Sequence, residues 1–181
     1  MVRIAGVPLP FAPIAEARRN WEAHGWEAVD RMSAATSITR AHQILLQRID
    51  AALEPHGLVF SRFEALALLF FSRAGALPLG KVGDRLQGHP TSGTNTIDRL
   101  EADGLVVRGP HPTDRRTTLA ELTNVGRRVV ADAAAALADI GFGLDGMSDL
   151  ELSRTAAAMA TLRQAAGDFP RTTPDRTTGP H

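Results

Sequence analysis

The chain has 181 residues and a formal net charge of zero, with 44% hydrophobic and 22% charged residues. These values are ordinary for a globular protein that is long enough to bury a core. The absence of cysteine excludes disulfides, thiol redox chemistry and thiolate metal sites, and favours a cytoplasmic protein. No apolar run approaches the roughly 18 residues of a membrane helix, and the N-terminus has no signal-peptide pattern.

The N-terminal part predicts an arm followed by an added helix. Residues 1–12 contain two prolines and no apolar period, so we expect a loose arm there. Pro13 suits the first turn of a helix. The helical pattern continues to about Met32, with Trp21 and Trp26 on a broad face.

Two more helices are expected before the middle of the chain. Apolar residues recur at helical spacing from Ile38 to Leu53, and Ser37 is the expected N-cap. Ser61 and Glu64 have the spacing of a capping box, in which each side chain accepts a backbone N–H from the other residue. That box predicts the start of the second helix.

The stretch from Leu79 to Thr123 predicts a helix, a turn, a second helix and a β-hairpin. The expected elements are a strand over 76–79, a helix over 80–87, a turn at 88–89, a helix from Pro90 that ends at Gly104, strands over 105–108 and 117–122, and an irregular loop over 109–114. A helix-turn-helix followed by a hairpin with a long tip is a winged arrangement.

The helix that begins at Pro90 has a polar face suited to DNA. On a helical wheel, one face holds Gly93, Thr96, Ile97 and Leu100, and the opposite face holds Thr91, Asn95 and Asp98. Asn95 can pair bidentately with adenine, and Thr91 and Ser92 can reach phosphates near the helix N-terminus. The alternative is a plain surface helix with a good polar face.

The tip of the hairpin carries Asp114, Arg115 and Arg116. An arginine at such a tip can enter the narrow minor groove, where the potential is most negative. We expect the aspartate to hold a guanidinium through a bidentate pair. Residues 105–128 carry five arginines, one aspartate and one glutamate, a net charge of +3. The alternative is a solvated turn with an incidental ion pair.

Two helices are expected after the hairpin. Thr123 should cap the first, and Gly141 with the glycines that follow should end it. Ser148 and Glu151 form a second capping box, which begins the last helix. Residues 168–181 lack an apolar period and are expected to be disordered.

The run from Leu79 to Arg128 resembles the winged helix-turn-helix of the MarR family of transcriptional regulators. The resemblance is carried by the segments NTIDRLEADGLV (95–106), HPTDRR (111–116) and LTNVGR (122–127). It implies a mainly α fold with a small β-hairpin wing and a helical dimerisation region. It also implies a homodimer that binds a near-palindromic site in double-stranded DNA as a repressor.

The resemblance also suggests how the chain is divided. The expected parts are an arm with an added helix (1–35), a MarR-type domain (36–167) and a disordered tail (168–181), the domain comprising a winged helix-turn-helix at about 61–123 and dimerisation helices at about 37–54 and 124–167.

Family positions carry over to particular residues of this chain. The matching residues are Thr91, Ser92, Thr94, Asn95 and Arg99 in the recognition helix, and Asp114 and Arg116 in the wing, with Arg115 between them. Two residues depart from the family pattern. Gly93 replaces a usual apolar residue, and His89 stands where a serine-like N-cap is usual.

Many members of the family bind a small, often aromatic and anionic effector between the dimer helices and the winged module. The candidate residues here are Arg40, His42, Phe63, Phe70 and Phe71. The alternative is that the phenylalanines belong to the core. No cofactor is implied, and no histidine pair at i,i+4 or H-E-x-x-H motif indicates a metal site.

Two other functions remain open at this stage. One is a non-enzymatic interaction protein that keeps the winged fold without specific base readout, which the zero net charge and Gly93 favour. The other is an enzyme, which the sequence disfavours because it contains neither a G-x-S-x-G motif nor a P-loop.

Overall fold

The computed structural model describes residues 10–72, 75–86, 90–114 and 116–169, and only the backbone of residues 90–94. The chain forms two compact units, with the boundary after Gly143. In the first unit the elements are α1 (Pro13–Ala23), α2 (Val29–Leu53), α3 (Phe60–Phe70), β1 (Ala76–Pro78), α4 (Leu79–Arg85), α5 (Pro90–Ala102), β2 (Val106–Pro110), β3 (Thr118–Leu122) and α6 (Asn124–Asp139). The second unit contains α7 (Asp149–Ala165).

The first two helices differ from the prediction. α1 ends at Ala23 instead of near Met32, and α2 runs without a break through Ser37, which is therefore not an N-cap. The cause lies between the helices, where Gly25 and Ala28 have φ values of +67° and +60°. Gly25 in this left-handed conformation ends α1, and Ala28 has the same conformation just before α2, so α1 ends nine residues earlier than its apolar pattern indicates.

Aromatic contacts close the turn between α1 and α2. The indole Nε1 of Trp21 donates to the carbonyl oxygen of Glu27 at 2.9 Å. The Trp26 ring meets the Trp21 ring edge-on, with centroids 4.7 Å apart. This geometry suits aromatic quadrupoles, so the two tryptophans stabilise the turn that the wheel pattern missed.

The capping box predicted at Ser61 is wrong. α3 begins at Phe60, and its N-cap, Val59, has no side chain that can accept a hydrogen bond. The N–H of Phe60 instead donates to Asp50 Oδ1 of α2 at 2.8 Å. A free first-turn donor is thus satisfied from another helix. Glu64 takes no part in capping, and partial burial raises the pKa of its carboxyl group.

The hairpin forms part of a three-stranded antiparallel sheet in the order β1-β3-β2. Val106 pairs with Leu122, and the pairing continues to Pro110 opposite Thr118. The irregular loop predicted from Gly109 therefore begins two residues too early. Pro110 is tolerated because β2 is an edge strand of this sheet, where a missing N–H costs little. The other bounds from β1 to α7 lie within two residues of their predictions.

The core joins the winged part to α2, α3 and α6. Its largest fully buried side chains are Leu53, Leu66, Leu69, Val82, Ile97, Leu100, Val106 and Leu137. Ile97 and Leu100 are 1% and 0% exposed. These two values confirm the inward face predicted for α5, so the apolar stripe determines which side of α5 faces outward.

The base of the hairpin is joined tightly to α6. The Leu105 carbonyl oxygen accepts the N–H of Thr123 at 3.1 Å. The Thr123 hydroxyl donates to the Gly104 carbonyl and accepts the N–H of Gly126, both at 2.9 Å. Thr123 is therefore the N-cap, as predicted. A Cβ at Gly126 would lie 2.1 Å from the Leu105 oxygen, so only glycine fits this contact.

The second unit begins at a complete capping box. Glu151 Oε2 accepts the N–H of Ser148 at 2.8 Å, and the Ser148 hydroxyl accepts the N–H of Glu151. Hydrogen bonds from the Ser148 hydroxyl and then its N–H hold the pKa of Glu151 below its usual value. No residue of α7 is buried. The predicted tail lies outside the described residues from Pro170 onward.

Replacement of Gly126 by alanine should destabilise the first unit. The added methyl group overlaps the Leu105 carbonyl oxygen, and such overpacking costs about 1–3 kcal/mol. Gly83→Ala is the matched control, because a Cβ there meets nothing within 4 Å and lies inside α4. Chemical denaturation should show a lower unfolding free energy for the first variant and an equal or higher one for the second. Equal loss in both variants would contradict the close contact.

Candidate nucleic-acid interface

The outward side of α5 carries two of the side chains expected to contact DNA. Asn95 and Arg99 are exposed, whereas Ile97 between them is buried in the core. The side chains of Thr91, Ser92 and Thr94 lie outside the described residues, as do His89 and Arg115. The described part of α5 therefore presents an amide and a guanidinium to solvent from a helix anchored on its opposite face.

The C-terminal half of α5 is ion-paired to its neighbours. Arg108 Nη1 of β2 lies 3.0 Å from Glu101 Oε2, and its Nη2 contacts Asp98 Oδ1. Arg62 of α3 pairs with Asp103 at 3.0 Å. Sequence reasoning missed these pairs and counted Arg108 as free positive charge. The sequence did contain a signal for these pairs. Asp98 and Glu101 are three residues apart, so they lie on the same side of α5, and the strand that carries Arg108 follows soon after.

The wing turn is organised by Asp114 in a different way from the one predicted. Its carboxylate accepts the N–H of Arg116 at 3.0 Å and the hydroxyl of Thr117 at 2.6 Å. The expected bidentate pair with a guanidinium is therefore wrong for Arg116. The carboxylate instead closes a local turn, as short acidic side chains commonly do. The Arg116 side chain stays exposed and pairs with no acidic group among the described residues.

Hydrogen bonds control the charge of this turn. The Thr117 hydroxyl first, and then the N–H of Arg116, lower the pKa of Asp114 below its usual value. Stability from a lowered carboxyl pKa is present above the unfolded-state pKa and is lost as the pH falls through the folded-state pKa. The Asp114 carboxylate thus stays ionised to a lower pH than an ordinary aspartate.

A groove of about 460 Å³ lies between α4 and the wing turn at residues 116–118. Lys81 lines it from α4 and Arg116 lines it from the wing, with Asp84 and the hydroxyls of Thr117 and Thr118 nearby. The two cations outnumber the single carboxylate. This groove thus extends the positive surface from the wing tip towards the first helix of the helix-turn-helix.

Not all of the hairpin's positive charge is available to a ligand. Arg108 is paired within the fold, and the Arg127 guanidinium packs against Gly75, where a Cβ would lie 2.0 Å from Nη2. The net +3 counted from the sequence therefore overstates the free charge of this region. Arg116 and Arg128 keep exposed side chains.

The candidate effector residues lie in different environments. Arg40 donates to Gln43 on the exposed side of α2, and His42, two residues after Arg40, is also exposed. Phe63 is buried and belongs to the core, whereas Phe70 and Phe71 are 42% and 82% exposed at the end of α3. An effector site formed by these residues stays a prediction. Among the described residues, no group of three acidic or histidine side chains could hold a metal ion.

Two helices followed by a β-hairpin, with the second helix exposed opposite its core face, define a winged-helix protein. A sequence model of the MarR family matches residues 56–117. The solved structure of Sco5413, a MarR family transcriptional regulator from Streptomyces coelicolor, is 49% identical. The match covers 80% of this chain and 100% of the Sco5413 chain, with a TM-score of 0.72. The chain belongs to the MarR family.

Two further solved structures were determined with ligands. MosR from M. tuberculosis, in complex with DNA, is 27% identical over 75% of this chain and 96% of its own (TM-score 0.63). CouR from Rhodococcus jostii RHA1, bound to p-coumaroyl-CoA, is 29% identical over 77% and 94% (TM-score 0.63). Curated helix-turn-helix regulators of Bacillus subtilis are 30–33% identical, and the chain spans only 61–64% of their length. None of the described helices is long and apolar enough to cross a membrane.

Replacement of Thr117 by valine should raise the pKa of Asp114 towards its ordinary value. The substitution keeps the β-branched shape and removes the hydroxyl that lowers this pKa most. An NMR titration of the Asp114 carboxyl group measures the change directly. Thr118→Val is the neighbouring control and should leave the Asp114 pKa unchanged. An unchanged pKa in the Thr117 variant would show that the hydroxyl does not stabilise the carboxylate.

Proposed function

We propose that the protein is a transcriptional regulator that binds specific double-stranded DNA through α5 and the wing. The observation that carries this proposal is that Asn95 on α5 and Arg116 on the wing are both exposed, while α5 and the wing share one hydrophobic core. An α-helix fits the major groove, and an arginine suits the narrow minor groove beside it. The DNA complex of MosR, a relative of the same fold, supports this assignment.

We further propose that the regulator acts as a homodimer. α7 buries no residue, and its Leu150 and Leu162 are 58% and 53% exposed. In α2, only Ile49 and Leu53 are buried, although the helix has 25 residues. Helices with so much uncovered surface are typical of chains that pack against a second copy. Sedimentation should give twice the monomer mass, and a monomer at micromolar concentration would reject this part of the proposal.

A small aromatic or anionic effector is proposed to alter the affinity for DNA, as a repressor's inducer would. Support comes from CouR, which binds p-coumaroyl-CoA, and from the exposed Phe70 and Phe71. Titration with aromatic carboxylates and their CoA thioesters, read as a change in DNA affinity, tests this part. Lack of a response would leave a regulator without this control.

A winged interaction protein without base readout is the second candidate. This candidate is favoured by the contacts of Arg108 and Arg127 within the fold, because these contacts reduce the positive charge that is left for phosphates. This candidate predicts weak binding without sequence preference.

Binding to a duplex that the protein selects from random DNA should weaken steeply with salt. The logarithm of the association constant falls linearly with the logarithm of salt concentration when phosphates are neutralised. Arg116→Ala should weaken binding to all duplexes and reduce the size of this slope by about 1. Fluorescence anisotropy at several salt concentrations measures both quantities. An unchanged slope and affinity would remove Arg116 from the interface.

Asn95→Ala should change sequence preference more than it changes affinity for unrelated DNA. A bidentate amide contact with adenine supplies about 1–3 kcal/mol of discrimination. A selection from random DNA repeated with the variant should therefore lose preference at one position in each half-site. Retention of the full wild-type motif would show that Asn95 does not read a base.

A further inference from the structure

We propose that Arg108 is a positioning residue. It holds the recognition helix α5 at a fixed angle to the wing and neutralises the carboxylates beside the base-reading face. The inference rests on the DNA-binding function proposed above, and it assigns to Arg108 a role without direct contact to DNA.

The geometry joins one side chain to two carboxylates. The Arg108 guanidinium contacts Asp98 Oδ1 with Nη2 and Glu101 Oε2 with Nη1, the latter at 3.0 Å. The backbone N–H of Arg108 also donates to Glu101 Oε1 at 3.2 Å. The Arg108 side chain is 28% exposed, less than either partner. A planar guanidinium can serve two carboxylates at once, which a lysine ammonium does with less geometric precision.

These contacts fix more closely the orientation that burial in the core gives to α5. Burial of Ile97 and Leu100 holds α5 against the core, but hydrophobic contacts have little directionality. Charge-assisted hydrogen bonds are directional, and Arg108 supplies them on one flank of the helix. Arg62 supplies another to Asp103 in the turn that follows α5. A rotation of α5 about its axis would break these pairs and move Asn95 across the groove.

The charges on α5 make this pairing necessary for binding DNA. Asp98 lies three residues after Asn95, about one helical turn away on the same side. An unpaired carboxylate there would face the phosphates of DNA and repel them. With Arg108, Asp98 and Glu101 keep only one net negative charge. The three side chains therefore hold α5 against β2 and reduce its negative charge. They do not form a phosphate-binding site, because such a site would require excess positive charge.

Two other roles for Arg108 give different results in the same experiment. As a phosphate contact, Arg108 would contribute equally on every DNA sequence and would add to the salt dependence. As an ordinary surface ion pair, it would contribute almost nothing. A positioning residue instead affects the contacts that depend on the angle of α5, which are those to bases.

The test compares Arg108→Met with wild type on two duplexes. One is the duplex selected from random DNA by the wild-type protein, and the other has the same bases in scrambled order. We expect both duplexes to bind more weakly, because Asp98 is then unpaired, and the ratio of the two affinities to fall about tenfold, the discrimination of one good base contact. Asp98→Asn added to this variant should restore part of the affinity. Arg128→Met removes an exposed arginine from α6 and should leave the ratio as it is.

Three results would overturn the inference. Equal weakening on both duplexes, with a salt slope smaller by about 1, would make Arg108 a phosphate contact. Wild-type affinity for both duplexes would show that the Arg108 ion pairs make no contribution to DNA binding. Should Arg108→Met fail to fold by circular dichroism, Arg108→Lys replaces it, and full wild-type discrimination in that variant would also reject the proposal. Failure of the wild-type protein to select any duplex would instead reject the DNA-binding function, and this inference with it.

Discussion

The contact between the first turn of α6 and the carbonyl group of Leu105 is the constraint on which the winged part depends. Three elements meet at this oxygen, because α5 ends just before it, β2 begins just after it and α6 starts against it. The N–H of Thr123 reaches it at 3.1 Å, and Gly126 leaves room for the approach. Backbone atoms therefore join the end of α5, the base of the wing and the start of α6, and the side chain of Arg108 adds a contact between β2 and α5.

The inner side of α5 is held in place by burial of apolar side chains, whereas its outer side is held by ion pairs. Ile97 and Leu100 face the core, while Arg62 and Arg108 hold acidic groups at the C-terminal end. The family likeness to a DNA complex and the exposed Arg116 agree with a surface that meets phosphate. A chain with zero net charge can present such a surface, because its acidic residues near α5 are paired within the fold.

The fold could be predicted from the sequence wherever a local pattern determined the structure. The apolar stripe of α5, the caps at Thr123 and Ser148 and the strand pattern of the hairpin depend on near neighbours in sequence, and they are confirmed. Two errors were local, at the left-handed residues Gly25 and Ala28 and at the turn closed by Asp114, and the others arose from distant partners. The N–H of Phe60 is capped by Asp50 of another helix. Arg108 is paired with carboxylates of α5, and the i,i+3 spacing of Asp98 and Glu101 was the signal for this contact in the sequence. The effector residues stay a prediction, since they require a site that local spacing does not define.

Selection from random duplex DNA tests most directly the claim that α5 and the wing read a specific site. A dimer of winged modules should enrich a near-palindromic motif whose half-sites lie about one helical turn of 10–10.5 base pairs apart, or a multiple of it. We expect this motif for the wild-type chain. Enrichment of no motif, with binding that depends only on DNA length and salt, would contradict it.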